Sequence, residues 1–310
     1  MAVIMLGSLA HSALAQEGSH QETRLEHYLR HAHFVASFPL TFPGPDGGYT
    51  MVHIPVVEVT KYGDTVAQTH AFLIDVGTAN QGNFLPADST APLNGYVAWN
   101  FKPTSGGVLH VSLAPMNTHA EYRKLDSTYF GTLGYAFLKD FLSVFDYKEK
   151  KLTLYTLYSS INIADRDTMA LQLPYFDDAF LTYCHCPYPT IWIDAAAPPL
   201  KAGRVHLGLA SPRSSIYQPA LDTKTRKQLS KAMQPDSLTG KVPSVGLSLA
   251  TFDLMGNNIA WRNPHRIVEA QPAVFRDLSI FILGSIGNDV LRTFSGLIID
   301  PVRTKLVLVK

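Results

Sequence analysis

One acidic residue stands alone in an apolar run. Phe72-Leu73-Ile74-Asp75-Val76-Gly77-Thr78 sets a carboxylate at the end of a strand-like pattern, just before a glycine turn. In that place an Asp lines a cleft as a general base, or accepts hydrogen bonds from the Gly77 and Thr78 amides as an Asx turn. The segment has a counterpart further on. Ala71 to Thr78, continuing to Phe84-Leu85-Pro86-Ala87, aligns without gaps on Arg204 to Ser211, continuing to Tyr217-Gln218-Pro219-Ala220. Gly208 is the residue that matches Asp75. His206, two positions before Gly208, and Arg213, five after it, are near enough to that turn to reach Asp75 and neutralise it.

Other reactive side chains form weaker patterns. His27 and His31 share one helix face at i and i+4, a spacing compatible with a metal, but no His-Glu-x-x-His order or acidic third ligand accompanies them. Cys184 and Cys186 flank His185. In an extended strand such a pair lies about 6.5–7 Å apart, at or beyond the usual disulfide limit, and structural zinc wants four ligands. Two small buried side chains are the simpler expectation, and neither metal nor cofactor is expected. The chain has no Gly-x-Ser-x-Gly elbow, phosphate-binding glycine loop or dinucleotide fingerprint, so serine hydrolase and nucleotide chemistry lose their support.

The elements around Asp75 read as strands. Alternation dominates from about residue 50, as in Val52-His53-Ile54-Pro55-Val56-Val57-Glu58-Val59 and Leu152-Thr153-Leu154-Tyr155-Thr156-Leu157-Tyr158, with turns at Gly, Asn, Asp and Pro. Helical signals are confined to Glu22–Phe34, Phe137–Leu142, Lys224–Met233 and Asn288–Phe294. A second arrangement also occurs twice. Gly131-Thr132-Leu133-Gly134, a short helix, Val144-Phe145-Asp146 and Lys151-Leu152-Thr153-Leu154 match Leu283-Gly284-Ser285-Ile286-Gly287, a short helix, Leu297-Ile298-Ile299-Asp300 and Lys305-Leu306-Val307-Leu308. Agreement in order and spacing implies two related lobes divided near Ser159–Asp167.

Composition bounds the rest. The chain has 310 residues, 46% apolar and only 16% charged, with 26 Lys and Arg against 25 Asp and Glu. That leaves ample chain for a core and no electrostatic footprint for nucleic acid or an acidic membrane. Met1 to Ala15 is apolar and ends in Ala13-Leu14-Ala15, too short to span a bilayer but shaped like a cleavable secretory signal, although Lys or Arg near Met1 is missing. The expected layout is a signal over 1–15, an N-terminal extension over 16–47, and lobes over 48–163 and 164–310, in a secreted or periplasmic protein.

The residues quoted around Asp75 resemble the hydrophobic-hydrophobic-Asp-Thr-Gly signature of pepsin-like and retropepsin-like aspartic peptidases. Phe281-Ile282-Leu283-Gly284, with the short helix and Ile299-Asp300 after it, is similar to the closing segment of a pepsin-type lobe. The resemblance spans about residues 48–310. It implies an all-β bilobal fold with a central cleft into which each lobe delivers one Asp. Two close carboxylates share one proton, so that one draws a proton from water while the other polarises the scissile carbonyl.

Against that pattern the sequence departs in two places. Gly208 stands where the second catalytic Asp would be, and Val76 replaces the Thr whose hydroxyl buttresses the catalytic loops. Asp194 falls on the preceding strand, and Asp146 and Asp300 match turn-forming acids. The resemblance therefore implies a protein with impaired or absent proteolysis, holding an extended peptide or protein segment in the cleft around Asp75, Gly77 and Thr78. The alternatives are a working aspartic endopeptidase that uses Asp75 through homodimerisation or a second acid, and a non-catalytic envelope scaffold. A hairpin over Gly95–Val111 takes the place of a flap, with Tyr96, Trp99 and Phe101 as peptide contacts or as core.

Overall fold

The computed structural model describes residues 23–44, 48–60, 63–64, 67–77, 81–86, 95–116, 120–163, 168–172, 190–195, 203–217, 233–236, 240–245, 251–254, 257–260, 266–269 and 282–310. The described residues are mainly β, and their helices are short. Residues 1–15, Thr78, Cys184, Cys186 and the expected helix over Lys224–Ala232 lie outside the described residues. Met233, the last residue of that expected helix, opens a strand instead. Among the described residues no helix is long and apolar enough to cross a membrane.

The same pairing pattern occurs in two parts of the chain. Gln68–Asp75 runs parallel to Tyr129–Gly134, with Asp75 opposite Gly134. Gly203–Gly208 runs parallel to Gly284–Gly287, with Gly208 opposite Gly287. Each inner strand also pairs antiparallel with a short one, Gly82–Phe84 in the first case and Ser215–Tyr217 in the second. Gly134 and Gly287 each start a short helix, Tyr135–Leu138 and Asn288–Leu291. The repeat read from the sequence is thus a repeat of strand pairing, in which Asp75 and Gly208 hold equivalent places.

A continuous sheet joins the two parts. Phe34–Thr41 pairs with Lys151–Thr156, which pairs with Phe141–Asp146. That strand pairs with Gly296–Asp300, which continues through Lys305–Val309 to Met169–Gln172. All these contacts are antiparallel, and the pairing of Ser143 with Ile299 lies at the middle of the series. Both faces of the central strands are apolar. Phe145, Leu152, Leu297 and Leu306 enter the main core, while Leu142, Val144, Ile298 and Val307 enter a second cluster under the N-terminal helix.

The segment expected as an N-terminal extension is part of this framework. Thr23 and Glu26 form a reciprocal capping box that starts the helix Arg24–Leu29. Tyr28 of that helix packs on Val144, Ile298 and Val309, so the helix lies across strands from both parts of the chain. The periodic pattern to Phe34 overstates its length, because Phe34 already belongs to a strand whose Leu40 and Thr41 pair with Val52 and Met51. The other helices also differ from the sequence reading. Tyr135–Leu138 precedes rather than fills Phe137–Leu142, since Phe141 and Leu142 are drawn into the joining sheet.

The expected hairpin is present: Val97–Phe101 pairs antiparallel with Leu109–Pro115. Its tip does not stand free as a lid. Ser105 and Gly106 pair with Ser37 and Ala36, and the amides of Thr104 and Gly107 donate to Ser37 and Val35 at 3.0 and 3.1 Å. Two further backbone attachments at a sheet edge fasten a turn that the sequence alone leaves loose.

Candidate functional site

Asp75 ends its strand half-buried, where the parallel partner strand also ends at Gly134. The Gly77 amide donates to Asp75 Oδ1 at 2.9 Å, the Asx-turn geometry expected of an Asp before glycine. The same turn brings in His206. A methyl group placed on Gly77 would lie 3.2 Å from Asp75 Oδ1 and 3.6 Å from His206 Cε1, so the carboxylate and the imidazole both border the space at Gly77. Gly77 leaves this space open because it has no side chain.

His206 reaches the site because strand side chains alternate. It lies two residues before Gly208 on the same face of its strand, in parallel register with Ser285. Its Nε2 is buried. Burial pushes the imidazole down to about 4, and the opposing Asp75 charge recovers only part of that shift. At neutral pH the ring is uncharged, with one nitrogen as donor and the other as acceptor. Arg213, the other candidate partner of Asp75, supplies its backbone to the Gly287 turn.

Gly208 is closely surrounded. A methyl group there would lie 3.1 Å from the Ile286 carbonyl oxygen and 3.5 Å from Ser211. Replacing the glycine with a side chain requires the Ile286 carbonyl to give by a few tenths of an ångström. Asp194 cannot stand in: Thr190 pairs with His206, and Asp194 lies at the far end of that strand, opposite Asp253. Asp146 and Asp300 cap turns instead. Asp146 Oδ1 accepts from the Glu149 amide at 2.8 Å, and Asp300 accepts from the amide and guanidinium of Arg303 at 3.0 and 2.7 Å.

The loop after Gly208 is anchored by polar contacts. Ser214 donates to Asp289 Oδ1 through both its amide and its hydroxyl, at 2.8 and 2.7 Å, and accepts from the Gly287 amide at 2.9 Å. Val76 and its counterpart Leu209 are both buried in the main core, and neither carries a hydroxyl. Asn288, absent from the sequence-derived candidates, joins the turns instead. Its carboxamide donates to Gly48 and Leu209 at 2.7 and 3.0 Å and accepts from Thr50 at 3.1 Å. The one available signal is that the repeat has Tyr135 at the matching place after Gly134.

The remaining candidates separate by burial. Tyr96 is 66% exposed at the start of the hairpin, whereas Trp99 is 8% exposed and packs on Phe84 and Phe130 with ring centroids 5.6 and 5.1 Å away. Phe101 is fully buried against Phe72. His27 is held by Asn162 at 3.0 Å and by Arg30 at 3.3 Å, whereas the helix ends at Leu29, so His31 stands exposed in the turn beyond it and the two histidines do not share a helix face. Among the described residues no group of three or more His, Cys, Asp or Glu side chains is placed to hold a metal.

No protein-family model matches the chain, and no curated protein matches it. One solved structure, described as the crystal structure of edgp, aligns over 87% of this chain and 93% of that chain, at 9% identity and a TM-score of 0.42. A likeness at that level carries no argument about function.

Proposed function

We propose that the chain is a two-lobed, pepsin-like protein that has lost the paired-carboxylate chemistry of aspartic peptidases and uses the space around Asp75 to hold an extended polypeptide segment. The observation that carries this reading is the equivalence of Asp75 and Gly208. They end matching parallel strands opposite Gly134 and Gly287, and only one of them bears an acid. A lone Asp can draw a proton from water, but nothing at Gly208 polarises the carbonyl that the water must attack. Exposed Tyr96 supports binding through side-chain contacts.

The nearness of His206 and Asp75 at Gly77 favours a second reading, in which His206 is the missing acid and hydrolysis is confined to acid pH, where the imidazole holds a proton. One experiment separates the two. Purified protein and an Asp75→Asn variant are incubated with a diverse peptide mixture from pH 3 to 7, with cleavage read by mass spectrometry and binding by retention on the immobilised protein. Retention without cleavage is expected. Cleavage lost in Asp75→Asn replaces the binding reading with the hydrolytic one, and the absence of both retention and cleavage leaves only a scaffold.

A further inference from the structure

A cavity of about 430 Å³ lies between the helix Arg24–Leu29 and the joining sheet, on the sheet face that the helix covers. That volume falls in the range of small-molecule sites, roughly 300–1,000 Å³. Leu25 and Leu29, one helical turn apart, form one wall. The other is the hairpin Phe141–Asp146 and Lys151–Thr156, where alternation turns Val144, Asp146, Lys151, Thr153 and Tyr155 to the same face.

The hairpin register gives the cavity two unlike ends. Asp146 stands opposite Lys151 beside the turn that carries Glu149, Val144 stands opposite Thr153 in the middle, and Tyr155 stands opposite Leu142 at the far end. Exposed Phe34 pairs with Tyr155 and meets its ring edge-on at 6.3 Å, which extends the apolar end towards solvent. Acids outnumber bases in the lining. Glu26, Asp146 and Glu149 stand against Lys151, which makes no ion pair among the described residues.

The polar groups near the turn retain bonding capacity. Asp146 Oδ1 accepts from the Glu149 amide at 2.8 Å, but Oδ2 has no partner among the described residues, and neither has the Glu149 carboxylate. Thr153 is only 7% exposed and lines the cavity, and its hydroxyl also has no hydrogen-bond partner among the described residues. A buried hydroxyl in that state is stabilised by whatever polar group enters the cavity to meet it.

We propose that this cavity binds a small amphiphilic amine, its ammonium head among Asp146, Glu149 and Thr153 and its apolar body along Leu25, Leu29 and Tyr155. The site shares no lining residue with the turn around Asp75 and does not rest on the polypeptide reading. An ammonium has three donors and no acceptor, matching two carboxylates and a hydroxyl oxygen. An anionic head would meet more like charges than opposite ones. The body removes the half-buried sides of Leu25 and Leu29 from water.

The test uses full-length protein at pH 7.5 with n-octylammonium, n-octanol, octanoate and n-butylammonium. Affinities are read by calorimetry, and the site by NMR shifts of the Leu25, Leu29 and Val144 methyl groups. Octylammonium binds about tenfold more tightly than octanol, the scale of two partly exposed charge contacts. It binds about a hundredfold more tightly than butylammonium, because four more methylenes are buried. Glu149→Gln combined with Asp146→Asn, which keeps an acceptor for the turn amide, brings octylammonium to the affinity of octanol. Thr153→Val, which keeps the shape, weakens octylammonium about threefold. Thermal melts confirm that the variants fold.

Octanol binding as tightly as octylammonium overturns the ammonium head. Tighter binding of octanoate overturns it too and gives the cavity to anions through Lys151. Octylammonium binding that leaves the three methyl signals unmoved overturns the cavity as its site, and no binding by any probe overturns the proposal altogether.

Discussion

The Thr50 hydroxyl donates to the Asn288 carboxamide at 3.1 Å, across 238 residues of chain, in a seam where both side chains are fully buried. Thr50 also accepts from the Ile74 amide at 2.9 Å through its carbonyl, and its own amide donates to Leu209 at 3.2 Å. Ile74 immediately precedes Asp75, and Leu209 immediately follows Gly208. One residue therefore ties together the two strand ends whose approach creates the site. Asn288 completes the tie by satisfying the carbonyls of Gly48 and Leu209.

Removing Asn288 tests this seam. Asn288→Leu keeps comparable volume but removes the partner of the Thr50 hydroxyl and of the Gly48 carbonyl and one of the two donors to the Leu209 carbonyl, so unfolding stability in urea falls by about 2–4 kcal/mol. A double-mutant cycle with Thr50→Val reads a coupling of about 1 kcal/mol for the direct bond. Additive losses would mean that the two side chains do not hold the seam jointly.

Acid weakens the protein through His206. Its pKa is lowered from 6.5 in the unfolded chain to about 4 in the folded protein, so between these values the unfolded state binds the proton more readily. Stability is whole above pH 6.5, falls as pH drops toward 4 and levels below it, by at most roughly 3 kcal/mol. Burial against Phe130 lowers His70 as well and adds a slope of the same sign. Urea midpoints measured from pH 7.5 to 4 show the decline. His206→Gln flattens it and leaves the smaller His70 part, whereas an unchanged slope would remove His206 as its source.

Two glycines in matching strands permit close backbone approach. A methyl group on Gly131 would overlap the Asn83 carbonyl, and one on Gly284 would overlap the Ser215 carbonyl. Gly131→Ala and Gly284→Ala each lower stability by at least about 2 kcal/mol, because backbone rather than a flexible side chain must move. Gly107→Ala serves as the control: nothing lies within 4 Å of its added methyl, and the change stays within about 0.5 kcal/mol. Equal losses at all three positions would remove crowding as the cause, since Gly→Ala by itself restricts the unfolded chain and favours folding.

Much of the strand framework is legible in the residues themselves. The alternation through Val52–Val59 and Leu152–Tyr158 marks strands, and the two copies of the glycine, short helix and closing hairpin recur as two copies of one pairing scheme. Local pattern is less informative where tertiary pairing competes. Phe34 and Phe141 look like ends of helices, yet both belong to strands of the joining sheet, where the apolar faces are covered on both sides. The hairpin over Gly95–Val111 is also legible, but the attachment of its tip to Ser37 and Val35 depends on a segment that resembles a mere extension.

The site divides in the same way. The sequence by itself determined that an acid ends one strand at Asp75, that glycine ends its counterpart at Gly208, and that the turn at Gly77 accepts Asx geometry, because these properties depend on residue type and short spacing. Only the tertiary structure decided that His206 comes to the Gly77 turn beside Asp75 and that Asn288 and Thr50 hold the two strand ends together. Those meetings join residues far apart in the chain. They follow from parallel register and from the joining sheet, in which a shift of one residue would turn each side chain to the opposite face.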